Sequence, residues 1–193
     1  MFNLVTDITT LQRESIIQWK QQGIMLCQDS FLRLVEENHA FNYQLWHAED
    51  RARREDMGHT FVYQAKREID QHNQQRNNRM EAMDEWMFNT LKPSSSATCP
   101  VHSETPGMMI DRLSILALKL FHMNEQANRE DASESHRAMC LKKTRVLTEQ
   151  HQQLRQCLDD LIQAAREQTR TFRVYHQFKM YNDPTLNPEL YSE

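Results

Sequence analysis

Apolar residues recur along most of this chain at intervals of three and four, the period of a helix with one buried face. Glycine and proline punctuate the pattern and divide it into five predicted helices. The first runs from about Asp7, a capping residue, to Gln22, with Ile8, Leu11 and Trp19 on its apolar side and Gly23 as its stop. The second runs from Asp29 or Ser30 to Asp56 and stops at Gly58, and the third runs from near Thr60 to Leu91, before Pro93. Pro93 to Pro100 reads as a loop. The fourth opens on Thr105-Pro106, a cap followed by a first-turn proline, and continues to about Gln126. Asp131-Ala132-Ser133 reads as a turn and a new cap. The fifth helix then runs from Ser133 to roughly Arg170, with Val146, Leu147, Leu154, Leu158, Leu161 and Ile162 as its stripe. From Phe172 to Glu193 the pattern changes to spaced aromatics (Phe172, Tyr175, Phe178, Tyr181) and two Asn-led turns, which predicts an ordered, extended tail packed on the bundle.

The predicted fold is therefore all-α: a single-domain bundle of about five long antiparallel helices over 1–193, with 171–193 as a C-terminal extension. Composition agrees. The chain holds three glycines and five prolines in 193 residues, too few for the many tight turns of a β-rich fold. The net charge of −4 is spread without a basic stripe, which argues against a nucleic-acid partner. No apolar run reaches the roughly 20 residues of a membrane span, and the N-terminal residues do not form a signal peptide. The expected location is cytoplasmic, with Cys27, Cys99, Cys140 and Cys157 as reduced thiols. Cys99-Pro100-Val101-His102 has the spacing of half a zinc site without a second half, so no metal site is assigned there.

The places where the apolar pattern breaks carry the functional information. From Asp70 to Arg79 the third helix has no apolar residue, although its stripe of Phe61, Ala65 and Ile69 resumes at Met80, Met83 and Met87. A solvated face favours Glu and Lys; this run has neither, and it carries Asn73, Asn77 and Asn78 mid-helix, where Asn is a mediocre helix former. The second helix places Asn38 and Glu49 at core spacing, with Trp46, His47, Asp50 and Arg53 beside them. Glu49–Arg53 at i, i+4 is equally the spacing of an ordinary surface ion pair. In the fourth helix, Asp111, Ser114, Lys119 and His122 share a face; the Asp111-Arg112 pair reads either as part of a site or as an ion pair fixing helix register. Three helices thus each bring a polar interruption near mid-length, and buried polar groups are costly unless paired, so the three patches are expected to meet.

The residues that carry these breaks also fall into recognisable blocks. Phe41-Asn42-Tyr43-Gln44-Leu45-Trp46-His47-Ala48-Glu49-Asp50-Arg51-Ala52-Arg53 resembles the first signature of the bacterial DUF4254 family. Lys66-Arg67-Glu68-Ile69-Asp70 with Asn73-Gln74-Gln75-Arg76-Asn77 resembles the second. Ser103-Glu104-Thr105-Pro106-Gly107, leading to Asp111-Arg112-Leu113-Ser114-Ile115-Leu116, Lys119 and His122, resembles the third and most specific. Gln177 to Pro184 resembles the C-terminal signature. Asn78 stands where the family pattern has Asp, so no acidic role is given to it. The resemblance implies a link to surface polysaccharide or nucleotide-sugar metabolism and identifies no catalytic residue.

Two functions of different kinds compete. In the first, the chain binds or processes a small phosphorylated or glycosylated ligand. Arg53, Arg76, Arg112 and Lys119 would hold phosphate, Asn73, Gln74 and Asn77 would read hydroxyls, and Lys66 and Glu104 would complete the ligand site. His47 or His122 would move protons, with Glu49, Asp50, Asp70 or Asp111 as base or orienter, and a carboxylate cluster could hold Mg²⁺. In that case loss of Asp111 should abolish binding and leave the melting temperature intact. In the second, the protein is a non-catalytic adaptor, forming a homodimer or packing on a partner enzyme, and the polar cluster is structural. A ferritin-like metal bundle is disfavoured, because Glu36-x-x-His39 has no second copy.

Overall fold

The computed structural model describes residues 4–95, 98–178, 180 and 183–191. Five helices account for most of it: α1 (Leu4–Gln22), α2 (Ser30–Ala52), α3 (His59–Leu91), α4 (Pro106–Ala127) and α5 (Glu134–Arg166). The architecture is the predicted all-α bundle. None of its helices is long and apolar enough to cross a membrane.

The connections explain the pairing. A short link with a 3₁₀ turn at Glu55–Met57 folds α3 back along α2. The two run antiparallel, with Phe31 beside Trp86, Asn38 beside Arg76 and Arg51 paired to Glu68. α4 and α5 form a second hairpin, and α1 lies along α4, with Gln12 level with Ile110 and Lys20 with Glu125.

Three helix ends differ from the prediction. α1 is already helical at Leu4, so Asp7 lies in its first turn and does not cap it. α2 stops at Ala52 and not at Asp56, because the amides of Arg53 and Arg54 turn back to the carbonyls of Asp50 and Arg51 in tight three-residue steps. α5 ends at Arg166 and not near Arg170. Gln168 adopts φ 60°, and the amides of Thr169 and Arg170 both return to the Ala164 carbonyl, closing the helix with a left-handed turn.

The tail is ordered at its root. Thr171 and Val101 form an isolated parallel bridge, in which the His102 amide donates to the Thr171 carbonyl at 2.7 Å. Phe172 is fully buried, edge-on to Phe88, and Glu81 of α3 accepts the Gln177 amide at 2.8 Å. Beyond that anchor Phe178 is 82% exposed, so the packed part of the expected extension ends here. Lys179, Tyr181 and Asn182 of the C-terminal signature lie outside the described residues.

The core comes in separate blocks. The larger combines Val5, Ile8, Val35, Met83, Ile110, Leu113, Leu158 and Phe172, drawing on all five helices and the tail. Two smaller blocks lie toward the other end: Ile16 with Ala117 and Leu118, and Leu45 with Ala48 and Ile69. Between them each of the first four helices carries polar residues: Gln12, then Asn38, His39 and Asn42, then Arg76, then Asp111 and Ser114. All of these except Arg76 are buried. Asn38, Arg76, Asp111 and Ser114, from the interruptions read in the sequence, thus join Gln12, His39 and Asn42 in one layer through the molecule.

A second buried carboxylate fixes where α4 begins. Thr105 caps α4, accepting from the Met108 amide, and donates its own hydroxyl proton to Asp84 Oδ2 at 2.6 Å. Asp84 Oδ1 accepts the Gly107 amide, also at 2.6 Å. An anion at the first turn of a helix faces free amides and the positive end of the helix dipole. Gly107 is required by this closeness: a Cβ there would lie 2.5 Å from the Met80 carbonyl oxygen and 2.8 Å from Asp84 Oδ1.

Two outcomes are expected. Gly107→Ala must push α4 off α3, an overpacking cost of about 1–3 kcal/mol; thermal unfolding should show a melting temperature lower by several degrees. Burial, opposed by the Thr105 and Gly107 hydrogen bonds, raises the Asp84 carboxyl from 3.8 to about 6. The folded chain then holds this proton more tightly than the unfolded chain. Its contribution to stability is complete below about pH 4 and is lost as pH rises through about 6, on the order of 3 kcal/mol in all. Asp84→Asn should flatten that part of the stability–pH curve, measured by urea unfolding between pH 4 and 7.

Candidate functional site

Asp111 sits at the centre of the polar layer, 3% exposed. Its Oδ1 accepts from Asn38 Nδ2 at 3.0 Å and from Asn42 Nδ2 at 2.9 Å, both on α2, and pairs with Arg76 Nε of α3 at 3.3 Å. Three helices are tied through one oxygen. Asn42 also donates to Ser114 Oγ at 3.0 Å, and Ser114 in turn lies 2.7 Å from His39 Nδ1. Burial, partly opposed by the Gln12 backbone, pushes His39 down to about 3, so the ring is neutral. Gln12 reaches into the same layer and donates to the Ile110 carbonyl at 3.0 Å.

The layer opens outward into a cleft of about 350 Å³ between α2, α3 and α4. Asn42, Glu49 and Arg53 enter it from α2, Asn73 and Arg76 from α3, and Ile115 and Leu118 form its apolar side. Arg76 Nη1 donates to Asn73 Oδ1 at 3.4 Å, so its guanidinium is braced from two directions. Glu49 and Arg53 pair at 2.6 Å at the rim, the ordinary surface-pair geometry, with side-chain exposures of 46% and 70%. The three polar patches therefore do converge, with Asp111 beneath the cleft and Glu49, Arg53 and Asn73 on it.

Trp46 and Asp50 line this cleft and also a larger groove of about 880 Å³ next to it, which contains Lys119 and His122. His122 stacks on Trp46 at 4.4 Å with its ring plane tilted by only 11°, and its Nδ1 lies 3.0 Å from Glu125, which also holds Lys20. His47 stands edge-on to Tyr43 and 6.4 Å from the His122 ring. Burial and the neighbouring His122 hold His47 below its ordinary value, so it is neutral at pH 7.

Other predicted site residues lie elsewhere. Asp70 pairs with Lys66 and Arg67 along the outer side of α3, at 3.0 Å each. Gln74 bonds Asn78, one turn on, at 2.8 Å. Asn77 is buried beside Met80 and does not line the cleft. Glu104 and Arg112 pair with each other on a third groove, between α4 and α5. The reason is rotation: the ten-residue polar run of α3 covers the whole helix circumference, and of its members only Asn73 and Arg76 line the cleft. Glu36 and His39 also serve separate ends, since Glu36 accepts the Cys27 and Gln28 amides and fixes the α1–α2 loop. Among the described residues no three His, Cys, Asp or Glu gather as a metal site.

Asn42, His39 and Gln12 escaped the candidate set. Asn42 is spaced four residues from Asn38, which is the detectable sign that both share a buried face. Gln12 follows Ile8 and Leu11 in a strong apolar stripe and gives no such sign.

Comparison with curated proteins and with solved structures finds no match. A family model described as protein of unknown function (DUF4254) matches residues 32–174, which takes in α2 through α5 and every residue of the cleft. The chain belongs to the DUF4254 family.

Proposed function

We propose that the cleft between α2, α3 and α4 binds a small phosphorylated or glycosylated ligand. One observation carries this reading: Arg76 is held by a buried carboxylate and by Asn73 while its guanidinium lines an open cleft. A pre-positioned guanidinium with unused donors recognises phosphate at low ordering cost. Arg53 at the rim adds a second cation, and Glu49, Asn42 and Asn73 offer hydroxyl-reading groups around it. A nucleoside diphosphate sugar combines both chemistries. Mg²⁺ arriving on such a phosphate would find Glu49 and Asp50 as oxygen ligands. Neutral His47 is suited to accept a proton near neutral pH if the ligand is processed.

In this reading Asp111 is a positioning residue. At 3% exposure it does not meet a ligand; it orients Arg76, which does, and ties Asn42 in place beneath it. That changes the expectation for its removal. A second reading, a structural network in an adaptor protein, draws on the same saturation of Asp111, and the two differ in what the outer residues do.

Arg53→Ala and Asn73→Ala should abolish binding of UDP-glucose or glucose 1-phosphate, measured by titration calorimetry with and without Mg²⁺. Both should leave the melting temperature within a few degrees, because an exposed pair such as Glu49–Arg53 contributes under about 1 kcal/mol. Wild-type protein should gain about 2.7 kcal/mol of stability at a ligand concentration near 100 Kd, visible as a thermal shift. Asp111→Ala should unfold several degrees lower whether or not ligand is present, because Arg76 and two amides lose their acceptor, at about 3–5 kcal/mol. If no phosphorylated or glycosylated probe shifts the wild type at millimolar concentration while Asp111→Ala still melts low, the cluster is structural and the adaptor reading stands.

A further inference from the structure

The first half of α5 is almost uncovered. Between Glu134 and Gln153 only Cys140 is buried, and Met139 and Val146 are each 48% exposed. These residues, with Leu147, face Met123 of α4 and Trp46 of α2 across the groove of about 880 Å³. The chain therefore presents a contiguous apolar trough where its sequence pattern calls for core. Its volume lies within the roughly 300–1,000 Å³ of small-molecule sites.

The charge of the trough is equally one-sided. Lys119, Lys142 and Lys143 line it, and Asp50 is its one carboxylate. None of the three lysines has an ion-pair or hydrogen-bond partner among the described residues. This local excess of cations belongs to a chain of net charge −4. A free phosphate would neutralise the lysines and leave the Met and Val walls wet. A neutral chain would cover the walls and leave three ammonium groups beside a dry surface.

We propose that this groove binds a single-chain alkyl phosphate, with the alkyl chain laid along Met123, Met139, Val146 and Leu147 and the phosphate at the three lysines. A phosphate monoester carries about −1.5 to −2 at pH 7, which suits three lysines better than a monoanionic carboxylate does. The inference does not depend on the cleft reading, because the lysines are absent from the cleft and Arg53, Asn73 and Arg76 are absent from the groove. Trp46 and Asp50 line both, so a ligand bearing a chain, a phosphate and a sugar could occupy the two together.

The test is titration calorimetry with dodecyl phosphate below its micelle concentration, compared with dodecanoate and the neutral dodecyl maltoside. Dodecyl phosphate should bind about tenfold or more tightly than either comparison compound. The double variant Lys142→Glu, Lys143→Glu should weaken it by at least about tenfold. Val146→Asp, on an exposed position, should do the same through the wall. Arg53→Ala and Asn73→Ala should leave dodecyl phosphate binding unchanged, which separates this outcome from failure of the cleft reading. Equal binding of dodecyl maltoside, or indifference to the double lysine variant, would overturn the proposal. So would a dimer in sedimentation velocity that Val146→Asp dissociates, since the trough would then be covered by a second copy.

Discussion

One oxygen atom sets the arrangement of this bundle. Oδ1 of Asp111 accepts from two amide groups of α2 and faces a guanidinium of α3, and its own helix is α4. A carboxylate in that position is tolerable only because it is so fully engaged; with one partner gone it is an uncompensated charge in an apolar setting. The hydrogen bonds are directional in a way that apolar packing is not, so they fix the rotation and axial register of three helices at once. The methionine-rich block on one side, with Met80, Met83, Met87 and Met109, is adaptable and would accept several registers. The polar layer accepts one.

This layer also decides what the cleft can offer. Its inner half, with His39, Ser114, Asn38 and Asp111, is buried and joined by hydrogen bonds within the layer. Its outer half, with Asn42, Asn73 and Arg76, shares those hydrogen bonds and reaches a cleft open to solvent. The buried groups and the cleft-facing groups are therefore successive shells of one network. Rigidity inside is what lets the outer groups wait in a fixed geometry, and a fixed geometry is what makes recognition of a small polar ligand inexpensive.

Much of this was legible in the sequence. The five helices followed from period and punctuation, and Thr105-Pro106 gave the start of α4 because cap and proline chemistry are local. That Glu49, Asn73 and Asp111 meet followed from three breaks at comparable depth in three stripes. Which member of each break faces inward did not follow. Asp70 and Asn73 are one helical turn apart, yet only Asn73 reaches the cleft, a difference of azimuth that depends on how α3 rotates against α2. Gln12 and Asp84 were hidden for a different reason: each is a single polar residue in an apolar stripe, and its partner, a backbone group of α4, leaves no trace in composition.

The fifth helix shows the opposite discrepancy. Its stripe is continuous in sequence from Val146 to Ile162, but the structure uses it twice. From Leu154 onward it closes the main core; Val146 and Leu147 look across an open trough at Trp46 and Met123. The cause lies in what covers each half. α4 runs beside the first half across the groove, while the core residues of α1, α2 and α3 gather with the far half, from Leu154 to Ala165. An apolar stripe that outruns the helices packed over it ends in a groove, and Lys119, Lys142 and Lys143 make this one positively charged. The same period that builds the core at one end of α5 therefore builds an accessible surface at the other.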